Sequence, residues 1–266
     1  MEKATGTSAL AGTTATADSP ASAVTAIGIV TAPATAAGAL TATASDGSKV
    51  ALSLPDAKAA TGVKRGVGTV VYSDVQTATD FAAQATVDGG ARALVTLKDR
   101  TAATSQTFNL DLPVGAALVA DGTGGYDIVQ DAGRGVALAK GHIDAPWAKD
   151  ANGKVLKTGY SVEGSRLTQT IDTNASTAFP VVADPKFTWG TISGTAYFNK
   201  SETRTIAYGG ATALAVLTAI GGPFDLVIDP ILGLAVAQAA VAAGKGECIK
   251  IKSYGVVSSY SGGYCS

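Results

Sequence analysis

Histidine occurs once in this 266-residue chain and cysteine twice; aromatic residues make up 6% and charged residues 15%. With His142, Cys248 and Cys265 alone, the chain cannot assemble a zinc site of the usual His/Cys kinds or a multi-histidine metal centre. No metal or cofactor is therefore expected. Basic and acidic residues nearly cancel, 20 against 21, and no Lys/Arg cluster supplies the concentrated positive footprint that nucleic acid requires. Nucleic acid is not an expected partner. Wholesale disorder is excluded as well, because 46% of the residues are hydrophobic and mean hydropathy is +0.25.

Catalytic signatures are also missing. There is no G-x-S-x-G elbow, P-loop, H-E-x-x-H or dinucleotide fingerprint, and Gly190 to Gly194 imitates the elbow with the wrong spacing. His142 reads as a turn or strand-end residue rather than a general base. Asp127, Asp131, Asp144 and Asp150 are carboxylates that could pair for glycosidase-type chemistry, but their setting suggests solvated turns. Trp147 and Trp189, with Tyr126 and Tyr160, would have to converge to make a sugar platform, and aromatics this sparse more often pack a core. A non-enzymatic protein is expected.

What is present falls into distinct textures. Residues 1–38 are dominated by Ala, Thr, Ser and Gly, offer little side-chain area to bury, and read as a flexible or loosely docked leader. Residues 39–208 read as a β-rich domain. Its punctuation is Asp46-Gly47, Asp88-Gly89, Asp121-Gly122 and Asn152-Gly153, all strong tight-turn pairs. Between them lie alternating or β-branched runs at 49–54, 68–72, 92–97, 107–112, 117–120, 126–129 and 135–138. Residues 159–162 pair with 166–171, and 191–198 lead to a further strand at 203–207. A weak helix is expected over 74–87. Such a series suggests an antiparallel sandwich or jelly-roll-like fold.

After Tyr208 the chain becomes almost uniformly apolar. Residues 209–246 read as a hydrophobic helical hairpin: a first helix around 211–220, a break at Gly221-Gly222-Pro223-Phe224, and a second helix capped by Asp229, with Pro230 at its first position and Gly244 as its stop. Leu214, Val216, Leu217, Ile220, Phe224, Ile231, Leu232, Leu234 and Val236 are its candidate core-facing or membrane-facing positions. Each helix, about 14 residues and roughly 21 Å long, falls short of the roughly 30 Å hydrocarbon thickness. The hairpin either packs against the β domain, enters a target membrane on release, or forms an oligomer interface.

Residues 247–266 read as a tail closed by a disulfide between Cys248 and Cys265, worth roughly 3 kcal/mol on the loop-entropy model. Such a bond persists outside a reducing cytosol, so a secreted, extracellular protein is expected. No signal peptide is visible, and the chain reads as a mature form with an added start methionine.

Several phrases in order, including 145–153, Thr158-Gly159-Tyr160, the Phe179-Pro-Val-Val-Ala-Asp-Pro185 segment, 197–203, and Gly244 to Cys248 with Cys265, resemble a group of secreted, largely uncharacterised actinobacterial proteins. The resemblance covers roughly residues 40–266 and implies export and a non-enzymatic architecture. It carries over no catalytic residues. The leading expectation is a bacteriocin-like toxin acting on membranes or cell envelopes. The alternative is an extracellular binding or structural module, for a polysaccharide or protein ligand, in which the hairpin is only core.

Overall fold

All four Asp-Gly and Asn-Gly pairs lie at turns, with φ of 81° at Gly47, 82° at Gly89, 91° at Gly122 and 81° at Gly153, the left-handed region that glycine enters without steric cost. The computed structural model describes the whole chain except Met1, Thr7, Pro55, residues 191–193, Ala219, residues 221–223, Asp225 and Ser266. The molecule is mainly antiparallel β, with a helical segment near the C-terminus and a Cys248–Cys265 disulfide. It divides into two compact units.

The first unit comprises Met1–Pro113, Thr123–Gly125 and Ile143–Gly190. It opens with a single helical turn, α1 (Glu2–Thr5), followed by β1 (Thr14–Thr16), β2 (Ser19–Val24), β3 (Gly28–Thr31), β4 (Ala39–Ala44), β5 (Lys49–Ser53), β6 (Val63–Arg65), β7 (Thr69–Gln76), β8 (Thr79–Ala85), β9 (Ala91–Leu97) and β10 (Ser105–Asp111). The strands β11 (Ala116–Ala120), β12 (Tyr126–Asp131) and β13 (Val136–Ile143) come next, and the first unit resumes with β14 (Trp147–Lys149), β15 (Thr158–Glu163), β16 (Arg166–Ile171), β17 (Val181–Asp184) and β18 (Lys186–Trp189). One sheet runs β1-β2-β3-β4-β5-β10-β16-β15. In the other, β6, β7, β8 and β9 pair in order, and the outer edge of β9 receives both β17 and β18. β4 touches β9 and β18, so apolar side chains from both sheets, among them Leu40, Leu52, Phe81, Leu94 and Phe108, are buried.

Two local expectations are corrected here. Residues 74–87, expected as a weak helix, form the end of β7 and all of β8, because positive φ at Asp74 and Ala78 turns the chain back and β8 is then buried on nearly every residue. Residues 14–31, read as part of a loose leader, contribute β1, β2 and β3. Their side chains are small, but the ladder uses main-chain groups, which every residue carries.

The second unit comprises Val114–Gly122, Tyr126–His142 and Thr191–Ser266. It combines β11, β12 and β13 with β19 (Thr195–Phe198), the helices α2 (Lys200–Tyr208), α3 (Ala211–Thr218) and α4 (Ile228–Lys245), and the hairpin β20 (Cys248–Lys252) and β21 (Val257–Tyr260). Its strands lie in the order β11-β12-β13-β19-β20-β21. The strand expected at 203–207 is instead the centre of α2. Alternating Thr and Ile mimic a strand there, but the Asn199 side chain accepts the Glu202 N–H and caps a helix, burying Thr203 and Ile206 one turn apart.

Candidate functional site: the apolar helices and the disulfide-closed tail

The apolar stretch after Tyr208 is not two matched helices. α3 has eight residues and α4 eighteen, and α2 packs against both, giving a group of three. The expected break at Gly221-Gly222-Pro223 lies outside the described residues. Asp229 is not the N-cap of α4: that position is Val227, with no side-chain cap, and Pro230 sits within the first turn, where its missing N–H has no helical partner to lose. Nor does Gly244 stop the helix. The stop is Gly246, whose φ of 72° allows its N–H to bond back to Ala242 O and Ala243 O. At 1.5 Å per residue α4 is about 27 Å long, and it is long and apolar enough by length and composition to cross a membrane, which the expected shorter helix was not.

Burial divides these helices into two faces. Inward, Ile206, Leu217, Phe224, Ile228, Ala235, Ala239 and Ala242 pack with Val136, Phe198, Ile249 and Ile251 from the sheet. Of the nine apolar positions singled out from the sequence, Leu217 and Phe224 are fully buried, and Val216, Ile220, Ile231, Leu232 and Val236 are half-buried against the same cluster. Leu214 and Leu234 face outward, 37% and 54% exposed. On α4 the exposed residues are Asp229 and Lys245 near its two ends and, between them, Pro230, Gly233, Leu234, Ala237, Val241 and Gly244. Pro230, Leu234, Ala237, Val241 and Gly244 follow one another at four- and three-residue spacing, with Gly233 beside Leu234. No charged residue lies between Asp229 and Lys245, whereas a water-facing helix surface is ordinarily polar.

The end of α4 leads directly into the tail. Cys248 begins β20 and bonds to Cys265, with both residues buried. The sulfurs lie in a cluster with Val119, Val129, Ala137, Ala139, Tyr197 and Tyr260. Tyr260 meets Tyr197 edge-on at 5.0 Å and donates its hydroxyl to Phe198 O at 2.8 Å. Tyr264 donates to Asp131 Oδ1 at 2.9 Å.

Beside this cluster is a group of polar side chains. His142, near the end of β13, has Nδ1 2.9 Å from Asp127 Oδ1 and Nε2 3.8 Å from Asp121 Oδ2. Tyr197 donates its hydroxyl to the other oxygen of Asp127 at 2.5 Å. Burial, followed by the Asp127 charge, pushes the Tyr197 hydroxyl well above the usual phenol range, so it remains a donor. Lys250 donates to Asp121 O at 3.4 Å and lies 5.4 Å from the Tyr197 ring centroid; burial pushes its ammonium down, against the pull of Asp127 and Asp121. Strand pairing between β12 and β13 brings Asp127 and His142 together. The sequence shows four acids around one histidine and cannot say which of them the sheet will choose.

The remaining candidates are occupied by structural contacts. The Asp150 carboxylate accepts the N–H groups of Asn152 and Lys154 at 2.9 Å and of Ala178 at 3.4 Å, which organises a turn. Asp144 lies 3.5 Å from Lys186. Trp189 is 1% exposed and donates to Ser48 Oγ, so it is not a surface for sugar stacking. Tyr160 donates to Asp184 O, and Lys149 lies 5.4 Å from the ring centre of Trp147. Among the described residues no group of three or more His, Cys, Asp or Glu side chains could hold a metal ion. Compared with protein families, with curated proteins and with solved structures, the chain matches none.

Proposed function

We propose that this is an exported, non-enzymatic protein that acts on a lipid membrane or cell envelope through the outward face of α4, in the manner of a bacteriocin-like toxin. The observation that carries the reading is the uncharged, exposed row Pro230, Gly233, Leu234, Ala237, Val241 and Gly244 on a helix about 27 Å long. Export is supported by the Cys248–Cys265 bond, which a reducing compartment would not maintain, and it agrees with the likeness to secreted actinobacterial proteins. The strands of the second unit serve as the scaffold that holds the helix.

The test is dye release from, and co-sedimentation with, vesicles of phosphatidylglycerol and of phosphatidylcholine. It uses the full chain and the double variant Leu234→Lys, Val241→Lys, whose side chains point away from the core. Wild-type protein should bind and release dye, and the variant should lose both with its thermal midpoint unchanged. No leakage from wild type, or equal leakage from the two, defeats the reading.

The burial of Leu217, Phe224, Ile228, Ala235, Ala239 and Ala242 favours a second reading. Here the helices close a core, and the protein is a cell-surface module for an envelope polysaccharide or a protein. In that case the double variant binds isolated envelope as well as wild type does. Concentration-dependent self-association abolished by the same variant would instead assign the face to an oligomer.

A further inference from the structure

We infer that the free edge of β15 is the contact through which two copies of this chain pair, antiparallel, about a twofold axis at Tyr160. β15 ends the sheet that begins with β1, and it joins β16 without a shift of register. Two bonds fix which way its main chain faces. Asp172 N–H donates to Lys157 O, so these two residues bond across the ladder, whereas Ile171, opposite Thr158, donates away from β15 to Thr104 O. Bonded and unbonded pairs alternate in an antiparallel ladder. Gly159, Ser161 and Glu163 therefore bond to β16 as Lys157 does, and Thr158, Tyr160 and Val162 turn their N–H and C=O groups outward. Among the described residues these groups have no other main-chain partner. Such an edge is a template for another chain, and proteins ordinarily blunt it. β1, at the other end of the sheet, has three residues and an irregular register, and β6, which ends the other sheet, has three residues that include Lys64 and Arg65. β15 has six residues, with no proline or lysine among them.

The order of side chains names the occupant. Pairing about Tyr160 sets Lys157 opposite the partner's Glu163, Thr158 opposite the partner's Val162, and Gly159 opposite the partner's Ser161. The outward-facing residues then oppose one another and exchange both main-chain bonds. A register one residue away would set bonding groups against non-bonding ones, and a register two residues away would part the charges. Because the axis repeats the pair, Lys157 and Glu163 meet at both ends of the contact. On β16, Asp172 stands opposite Lys157 and Arg166 opposite Glu163. The joined sheets therefore carry a row running Asp172, Lys157, the partner's Glu163 and the partner's Arg166, in which the sign alternates at every step. Opposite charges directly across strands are favourable, and all four residues are exposed. Between the charges on this face lie only Gly159 and Ser161, too small to obstruct the approach. The inference does not depend on the membrane reading, whose surface is on α4.

The experiment is sedimentation velocity of the full chain, which distinguishes 26.3 kDa from its double. Wild-type protein should pass from monomer to dimer as its concentration rises from about 1 μM to about 300 μM. Lys157→Glu and Glu163→Lys each set like charges opposite at both ends, and each should weaken the dimer about tenfold. An equimolar mixture of the two variants, one isotopically labelled, should form the heterodimer in native mass spectrometry, a result that misfolding of either variant cannot produce. Val162→Pro deletes an outward N–H that β16 does not use, so it should be monomeric with native circular dichroism. The double variant Leu234→Lys, Val241→Lys should dimerise as wild type does. A wild-type monomer throughout that range, a mixture with no preference for the heterodimer, a dimer retained in Val162→Pro, or a dimer lost on altering α4 would each overturn the proposal.

Discussion

Asp184 and Arg92 approach to 3.7 Å inside the first unit, with the Asp184 side chain 3% exposed. Asp184 Oδ1 and Arg92 Nε both lack a hydrogen-bond partner among the described residues. Burial outweighs the attraction of the guanidinium and the Trp147 hydrogen bonds and pushes the Asp184 carboxyl up to about 7. An unfolded aspartate titrates near about 3.9. Between these values the folded state holds a proton that the unfolded state has lost, so stability falls as pH rises from about 4 to about 7. Asp184→Asn should leave the thermal midpoint unchanged near pH 4 and raise it near pH 8, by up to roughly 4 kcal/mol of unfolding free energy. A variant less stable than wild type at pH 8 would show that the ionised pair is favourable.

Asp88 has the opposite sign. Burial disfavours its charge, but hydrogen bonds from Lys186, Thr86 and the Gly90 N–H prevail and hold its carboxyl at about 2. Its contribution is present above about 4 and is lost as pH falls toward about 2. The pair with Lys186 is partly exposed, so its worth is discounted to about 1 kcal/mol. Lys186→Met should lower stability at pH 6 and converge with wild type near pH 2 in urea titrations.

The two faces of α4 should respond differently to added volume. Ala239 is fully buried, and Ala239→Leu should cost about 1–3 kcal/mol through overpacking. Ala237 is exposed, and Ala237→Leu should change the midpoint of the helical circular-dichroism signal by less than about 0.5 kcal/mol. Equal effects would contradict the assigned rotation of the helix.

Removing the α2 cap should be felt locally. Asn199 Oδ1 accepts the Glu202 N–H at 2.9 Å, and Asn199→Ala should destabilise the helical segment by about 1 kcal/mol. Trp147 and Trp189 both belong to the first unit, so tryptophan fluorescence is a poor probe of this change and ellipticity at 222 nm is the suitable one.

Replacing both Cys248 and Cys265 by Ala should cost roughly 3 kcal/mol on the loop-entropy estimate for their separation of 17 residues. Chemical denaturation followed by helical ellipticity measures it, and an unchanged midpoint would mean that the unfolded tail is already constrained.

Much of the β architecture was legible before the structure. Turn pairs such as Asp46-Gly47 and Asn152-Gly153 encode a local backbone conformation, and alternation at Phe108 and Leu110 encodes a buried face, so both can be read without knowing the partner strand. The 159–162 and 166–171 pairing was legible for the same reason, as a short connection between two runs. The disulfide followed from there being only two cysteines. Residues 14–31 were not legible, because their order comes from main-chain pairing with β4 and its neighbours and leaves little mark on an Ala/Thr composition. α2 reads as a strand from its β-branched residues Thr203, Thr205 and Ile206, and the Asn199 cap decides for the helix.

The sequence by itself determined where α4 would lie and that it would be apolar on every side. It could not determine which side meets the sheet, since alanines at 235, 239 and 242 differ in no local property from that at 237. Packing against Phe198, Ile249 and Ile251 made that choice and left Leu234 and Val241 outside. The same holds for His142: its chemistry is in the sequence, but only the pairing of β12 with β13 sets it between Asp127 and Asp121, because a sheet joins residues that the chain keeps apart.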